Sequence, residues 1–184
     1  MDKDDSSLSR RKFLRTVVSI TPALIAPVSW PTAVAATSMR ELALAHTLWH
    51  DELLVQYRAG DVYEPGALAQ VNHFLRDPLT NEVCDIDPAL LDFLHDVYVL
   101  TESRGTFEVI SGYRSPATNE MMRRRNSAVA RRSQHMLGKA IDVRLTDVNT
   151  ATLRDAAISL RKGGVGYYPD TDFVHLDTGR VRRW

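Results

Sequence analysis

The chain has 184 residues, 23 Lys+Arg against 23 Asp+Glu, and one cysteine, Cys84. That length allows one domain with a real core, and the apolar and charged fractions are those of an ordinary globular protein. Zero net charge gives no footprint for nucleic acid, and a lone thiol excludes both an internal disulfide and a cysteine zinc knuckle.

The first 35 residues read as a leader rather than as fold. A charged start runs into SRRKFL (Ser9 to Leu14), then a modestly apolar stretch from Val17 to Val28, then AVAA with small residues at Ala33 and Ala35. The apolar stretch contains Pro22 and Pro27 and is short for a membrane span. Arg10-Arg11 followed by Phe13-Leu14 resembles the bacterial twin-arginine export signal, with cleavage expected after Ala35. That division gives 1–35 as signal peptide and 36–184 as the folded domain. It implies export machinery and a signal peptidase as partners, and the periplasm as the destination.

From Met39 to Tyr57, apolar residues at Leu42, Ala45, Leu48 and Val55 suggest an amphipathic helix. His46 and His50 would then share one face, but no glutamate follows His46 as in HExxH, and packing histidines are the better reading. Ala59-Gly60 marks a turn, a short strand-like piece follows, and Pro65 opens a helix through Leu75. RDPLTNEVCDIDP is loop. Asp87-Pro88 caps and opens the next helix, ALLDFLHDVYVL. Thr106 to Ser111 alternates as a strand, and Ser115-Pro116 opens a helix over Ala117 to Arg125. The basic RRRNSAVARRSQ is a loop, whose five arginines (Arg123 to Arg125, Arg131, Arg132) either contact an anionic polymer or are simply solvated. KAIDVRL is a strand, Asn149 to Arg161 a capped helix ending at Gly163-Gly164, and GVGYY and FVHLD two short strands. The order predicts an α+β domain: a small antiparallel sheet flanked by helices.

Three residues stand out chemically. His135, Asp142 and His175 offer two imidazoles and a carboxylate, the donor types of a catalytic zinc with one position left for water. Asp142 and His175 each alternate with apolar neighbours on a strand, where a buried carboxylate needs a positive partner.

SQHMLGKAID, Ser133 to Asp142, matches S-x-H-x-x-G-x-A-x-D of the M15 peptidases, the LAS-type zinc metallopeptidases that include lysostaphin, D-alanyl-D-alanine peptidases and hedgehog domains. VISGYRSP upstream and FVHLDTG downstream join it at fitting distance, and GGVGYY, FVHLDTG and RRW, with the twin-arginine start, look like the YcbK-like, murein endopeptidase K branch. The resemblance is tight from about Thr106 onward. It implies one zinc held by His135, Asp142 and His175, and Arg114 of SGYRSP steadying the oxyanion. The implied activity is hydrolysis of peptide bonds in the stem peptides of peptidoglycan, especially meso-diaminopimelate 3-3 cross-links. Asp172, three before His175, is the expected base; Asp177 is the alternative, or else orients an imidazole. Phe173 stands where many members have a histidine. Tyr113, Tyr167 and Tyr168 line the groove or pack. Other readings are a D,D-carboxypeptidase or dipeptidase, and an inactive zinc-containing module that binds peptidoglycan.

Overall fold

The computed structural model describes residues 38–127 and 129–184. The leader expectation falls outside the described residues. Among the described residues no helix is long and apolar enough to cross a membrane.

Eight strands form a single sheet: β1 (Met39–His46), β2 (Glu52–Ala59), β3 (Val62–Tyr63), β4 (Phe107–Ser111), β5 (Ala140–Leu145), β6 (Gly164–Tyr168), β7 (Phe173–Asp177) and β8 (Arg182–Arg183). Their order is β3-β2-β1-β4-β5-β7-β6-β8. The β1–β4 and β6–β8 pairs are parallel and the rest antiparallel. The sheet is therefore larger than expected, and mixed.

The extra width comes from a misread segment. Met39 to Tyr57 is not a helix but the β1–β2 hairpin. Leu42, Leu44 and His46 are buried in alternation, as are Val55 and Tyr57, which is the two-residue period of a strand. The turn between them has no glycine or proline; His50 supplies the left-handed residue, with φ 58°. His46 is buried and stacks on Trp49 at 4.6 Å, while His50 is exposed, so the pair shares no helix face. Burial pushes the His46 pKa down, as expected of a packing histidine.

The four helices among the described residues lie close to expectation: α1 (Pro65–Phe74), α2 (Pro88–Leu100), α3 (Pro116–Arg125) and α4 (Thr150–Leu160). Each begins with a proline or follows a polar cap. Asp87 accepts from Ala89 N, Ser115 from Thr118 N and Asn149 from Thr152 N. α4 ends one residue before expected, where Arg161 takes the left-handed cap at φ 54°.

One contiguous core joins the sheet to α1, α2 and α4: Leu42, Val55, Phe93, Phe107, Ile141, Leu153 and Leu176 are all buried within it. Asp92 ties α2 to the first hairpin, accepting hydrogen bonds from Arg58, Tyr57, Tyr63 and Arg40. Four donors on one carboxylate satisfy a charge that burial would otherwise make costly.

Candidate metal centre

The sheet brings two of the three singled-out residues together by register. Asp142 on β5 lies opposite His175 on β7, and Ser111 at the end of β4 lies opposite Asp142. His135 arrives from a short 3₁₀ turn, Gln134–Leu137, immediately before β5. Ser133 caps that turn by accepting from His135 N, and the His135 carbonyl accepts from Arg114 N at 3.2 Å. Gly138 closes the turn at φ 65°; a Cβ there would lie 2.2 Å from the Asp85 carbonyl oxygen. Only glycine meets both demands. The motif's spacing is thus the path length from a capped turn into the middle of a sheet.

All three side chains are buried: His135 is 3 %, Asp142 7 % and His175 8 % exposed. Their inward atoms form a small triangle. His135 Nε2 is 3.1 Å from His175 Nδ1 and 3.3 Å from Asp142 Oδ1, and His175 Nδ1 is 2.8 Å from Asp142 Oδ1. Among the described residues this is the one group of three or more with metal-ligating geometry.

The outward nitrogens decide what the triangle can hold. His135 Nδ1 faces the Gly112 carbonyl at 2.7 Å, and a carbonyl only accepts, so Nδ1 carries the hydrogen. His175 Nε2 faces Asp177 Oδ2 at 3.0 Å and donates to it. In neutral rings the two inward nitrogens then present lone pairs to each other and to a carboxylate. Such an arrangement is repulsive unless a cation or added protons sit between them. A tetrahedral zinc with bonds of about 2.0–2.1 Å needs ligand–ligand separations of about 3.3 Å, close to those seen. The residues fit the ion.

Without an ion, protons on the imidazoles take that part. Burial alone would raise the Asp142 pKa, but the His135 and His175 imidazoles outweigh it and hold the group well below the usual carboxylate range. Burial likewise opposes charge on His175, yet Asp142 and Asp177 raise its pKa. Burial raises Asp177 too, and His175, Arg182 and the Gly179 amide overcome it, so that it stays ionised. Arg182 grips both Asp177 oxygens, at 2.9 and 2.6 Å.

The triad opens into a cavity of about 450 Å³. Arg114 lines it, with Nη2 3.9 Å from Asp142 Oδ2 and 3.3 Å from Ser111 Oγ. Burial pushes the Arg114 pKa down, with Asp142 and Asp77 countering. Tyr168, Phe173 and Trp184 form an aromatic wall. Tyr168 stacks on Phe173 at 4.6 Å, and Trp184 Nε1 donates to the Tyr168 hydroxyl. Tyr113 is buried in the core, and Tyr167, half-buried, lies under the Arg154 guanidinium outside this cavity.

The two expected catalytic carboxylates lie apart. Asp177 is fully buried behind His175. Asp172 has φ 50° and a largely exposed side chain that accepts from the Thr150 hydroxyl at 2.8 Å, with Arg144 3.8 Å away. Neither lines the cavity; among the described residues Asp142 is the one carboxylate that does. Sequence reasoning missed the Gly112 carbonyl, Arg182 and the indole of Trp184. No motif marks a carbonyl, but Arg182 and Trp184 had a signal: both stand in the RRW run soon after Asp177, Arg182 on β8, which pairs with β6, and Trp184 just after it.

A family profile described as peptidoglycan L,D-endopeptidase MepK, of the M15 peptidases, matches residues 34–184. The chain belongs to that family. Its members are metallopeptidases, and it is an enzyme family acting as hydrolases on peptidoglycan. The peptidoglycan L,D-endopeptidase MepK of Escherichia coli K12 is 38 % identical over 184 residues, covering all of both chains. The probable peptidoglycan L,D-endopeptidase MepK of Haemophilus influenzae is 37 % identical over 161 residues, 87 % of each chain. The L-Ala D-Glu endopeptidase ChiX of Serratia marcescens, a crystal structure, gives a TM-score of 0.34 at 23 % identity, over 52 % of this chain and 68 % of its own. That last likeness is too slight to bear on the site.

Proposed function

We propose that this chain is an exported, zinc-dependent murein endopeptidase that hydrolyses peptide cross-links of peptidoglycan, the meso-diaminopimelate 3-3 bonds in particular. The observation that carries the reading is the triangle of inward lone-pair atoms on His135, Asp142 and His175, beside a half-screened Arg114, in a chain of the MepK family. Those three residues would hold one zinc, which when bound lowers the pKa of a water and polarises the scissile carbonyl. The leader supports twin-arginine export, removal by signal peptidase and action in the periplasm.

The protein's own groups do the rest. The Gly112 carbonyl and Asp177 fix the two imidazole tautomers, leaving His135 Nε2 and His175 Nδ1 as ligands. Arg114 is aimed into the cavity, where partial burial strengthens its hold on the oxyanion that develops at the scissile carbonyl. The aromatic wall gives the stem peptide a flat apolar surface. Asp172 is the proposed base. It adjoins Phe173 at the rim, and its carboxylate must turn away from Thr150 to take the water's proton and deliver it to the leaving amine. Asp177, committed to His175 and Arg182, is proposed as the group that positions His175.

The test is a digest of purified 3-3 and 4-3 muropeptide dimers with zinc and with chelator, read by mass. Loss of 3-3 dimers that the chelator stops is the expected result. Cleavage of terminal D-alanine alone would make the chain a D,D-carboxypeptidase. Zinc bound without any cleavage would make it a binding module. In the same assay Asp172→Asn should keep its zinc and lose at least about 100-fold in kcat; unchanged turnover would remove Asp172 from the mechanism.

A further inference from the structure

The basic run from the last turn of α3 to the turn before β5 is where the sequence left a charge without a task. Of its five arginines, Arg123 and Arg124 are paired with Glu120 on the outer turn of α3, at 3.2 and 3.3 Å. Arg132 alone among the five lines the cavity that holds the His135–Asp142–His175 triangle.

Its backbone is held on both sides. Two residues before it, the Ala130 carbonyl accepts from Asn119 Nδ2 at 3.2 Å, and Asn119 is 2 % exposed. One residue after it, buried Ser133 begins the capped turn that delivers His135. An arginine between two such anchors is presented to the cavity by a fixed backbone.

The charge balance of the cavity is uneven. Arg182 is neutralised by the bidentate grip on Asp177. Arg114 stands beside Asp142. Arg132 has no ion pair or hydrogen bond among the described residues, and no carboxylate besides Asp142 faces the cavity. A guanidinium offers a planar pair of donors that fits a carboxylate.

We infer that Arg132 is a substrate-positioning residue that binds a free carboxylate of the stem peptide near the scissile amide, so that the site selects anionic over amidated cross-links. The inference rests on the peptidase reading of the same cavity and adds the substrate's charge to it. Arg132 acts on affinity and register, while Arg114 acts on the reacting carbonyl.

The experiment is a two-by-two comparison on the full zinc-loaded chain. The substrates are two cross-linked peptide dimers, alike except that the carboxylate nearest the scissile amide is free in one and a carboxamide in the other. The proteins are the unaltered chain and Arg132→Gln, with Arg132→Lys as the conservative variant. Amidation should raise KM about tenfold for the unaltered chain, Arg132→Gln should raise it about as much on the free carboxylate, and the two together should cost no more than either alone. Zinc content, melting temperature and kcat should stay within about twofold or a few degrees, and Arg132→Lys should recover part of KM. Equal losses from Arg132→Gln on both dimers overturn the inference, as does a loss confined to kcat. If the unaltered chain cuts neither dimer, the peptidase reading fails instead. Calorimetric binding of the two dimers then decides the arginine's role alone: a preference for the carboxylate that vanishes in Arg132→Gln upholds it, and equal affinities overturn it.

Discussion

Asp177 accepts from an imidazole on one oxygen and from a guanidinium on both, and this sets what its loss should do. Asp177→Asn keeps an acceptor for His175 Nε2–H but loses the charge that fixes the tautomer and the pairing with Arg182. Zinc affinity should fall by about 10–100-fold, the usual range for a group that orients a metal-bound histidine. Most of the activity should return at saturating zinc, as read by metal titration against a chromophoric chelator. An affinity equal to the parent's, with kcat destroyed, would make Asp177 a proton carrier instead. The contrast with Asp172→Asn, which should spare zinc and damage turnover, separates the two carboxylates by readout. Sequence spacing put Asp172 ahead of Asp177 as the base, but it could not see that Asp177 is the one already committed to an imidazole and a guanidinium.

At the scale of elements, the SGYRSP loop is held by a residue that no motif flags. Asp77 follows α1, is fully buried, and accepts from Leu79 N at 2.7 Å and Ser115 N at 2.7 Å. It thereby fixes the start of α3 and, one residue earlier, the backbone of Arg114. Burial opposes its charge, but the Thr118 hydroxyl and the Ser115 and Leu79 amides win, and its pKa lies below the ordinary value. A carboxyl whose folded pKa is depressed stabilises the fold above its unfolded pKa, near 4, and that contribution fades as pH falls through the lower folded value. Asp77→Asn should therefore cost about 1–3 kcal/mol at pH 7, and the gap to the parent should shrink below pH 4. Urea denaturation at a series of pH values checks this; a gap unchanged down to pH 2.5 would refute the assignment.

The whole molecule bears on metal binding because His175 reaches His135 and Asp142 only through sheet pairing, so the proposed site exists only in the folded state. An ion that binds the folded chain alone stabilises it by mass action, about 2.7 kcal/mol at 100 times Kd. For a domain of this size that is a rise of about 5–10 °C in Tm. Thermal denaturation with zinc, and again after chelation, should show the rise and its loss, whereas an unchanged Tm would argue against a metal on the triad.

The sequence by itself picked out His135, Asp142 and His175, which the fold brings together, and most helix starts, which are written in local chemistry: a cap or a proline. It misjudged Met39 to Tyr57, since Leu42, Leu44 and Val55 fit a helical stripe as well as a strand face, and the turn at His50 has no breaker. Only the tertiary structure decided the rest. Register put Asp142 opposite His175, the carbonyl of Gly112 chose a tautomer, and one arginine of five was brought to the cavity. These are contacts between residues far apart in the chain, and their partners are fixed by packing of the sheet rather than by any neighbour in sequence.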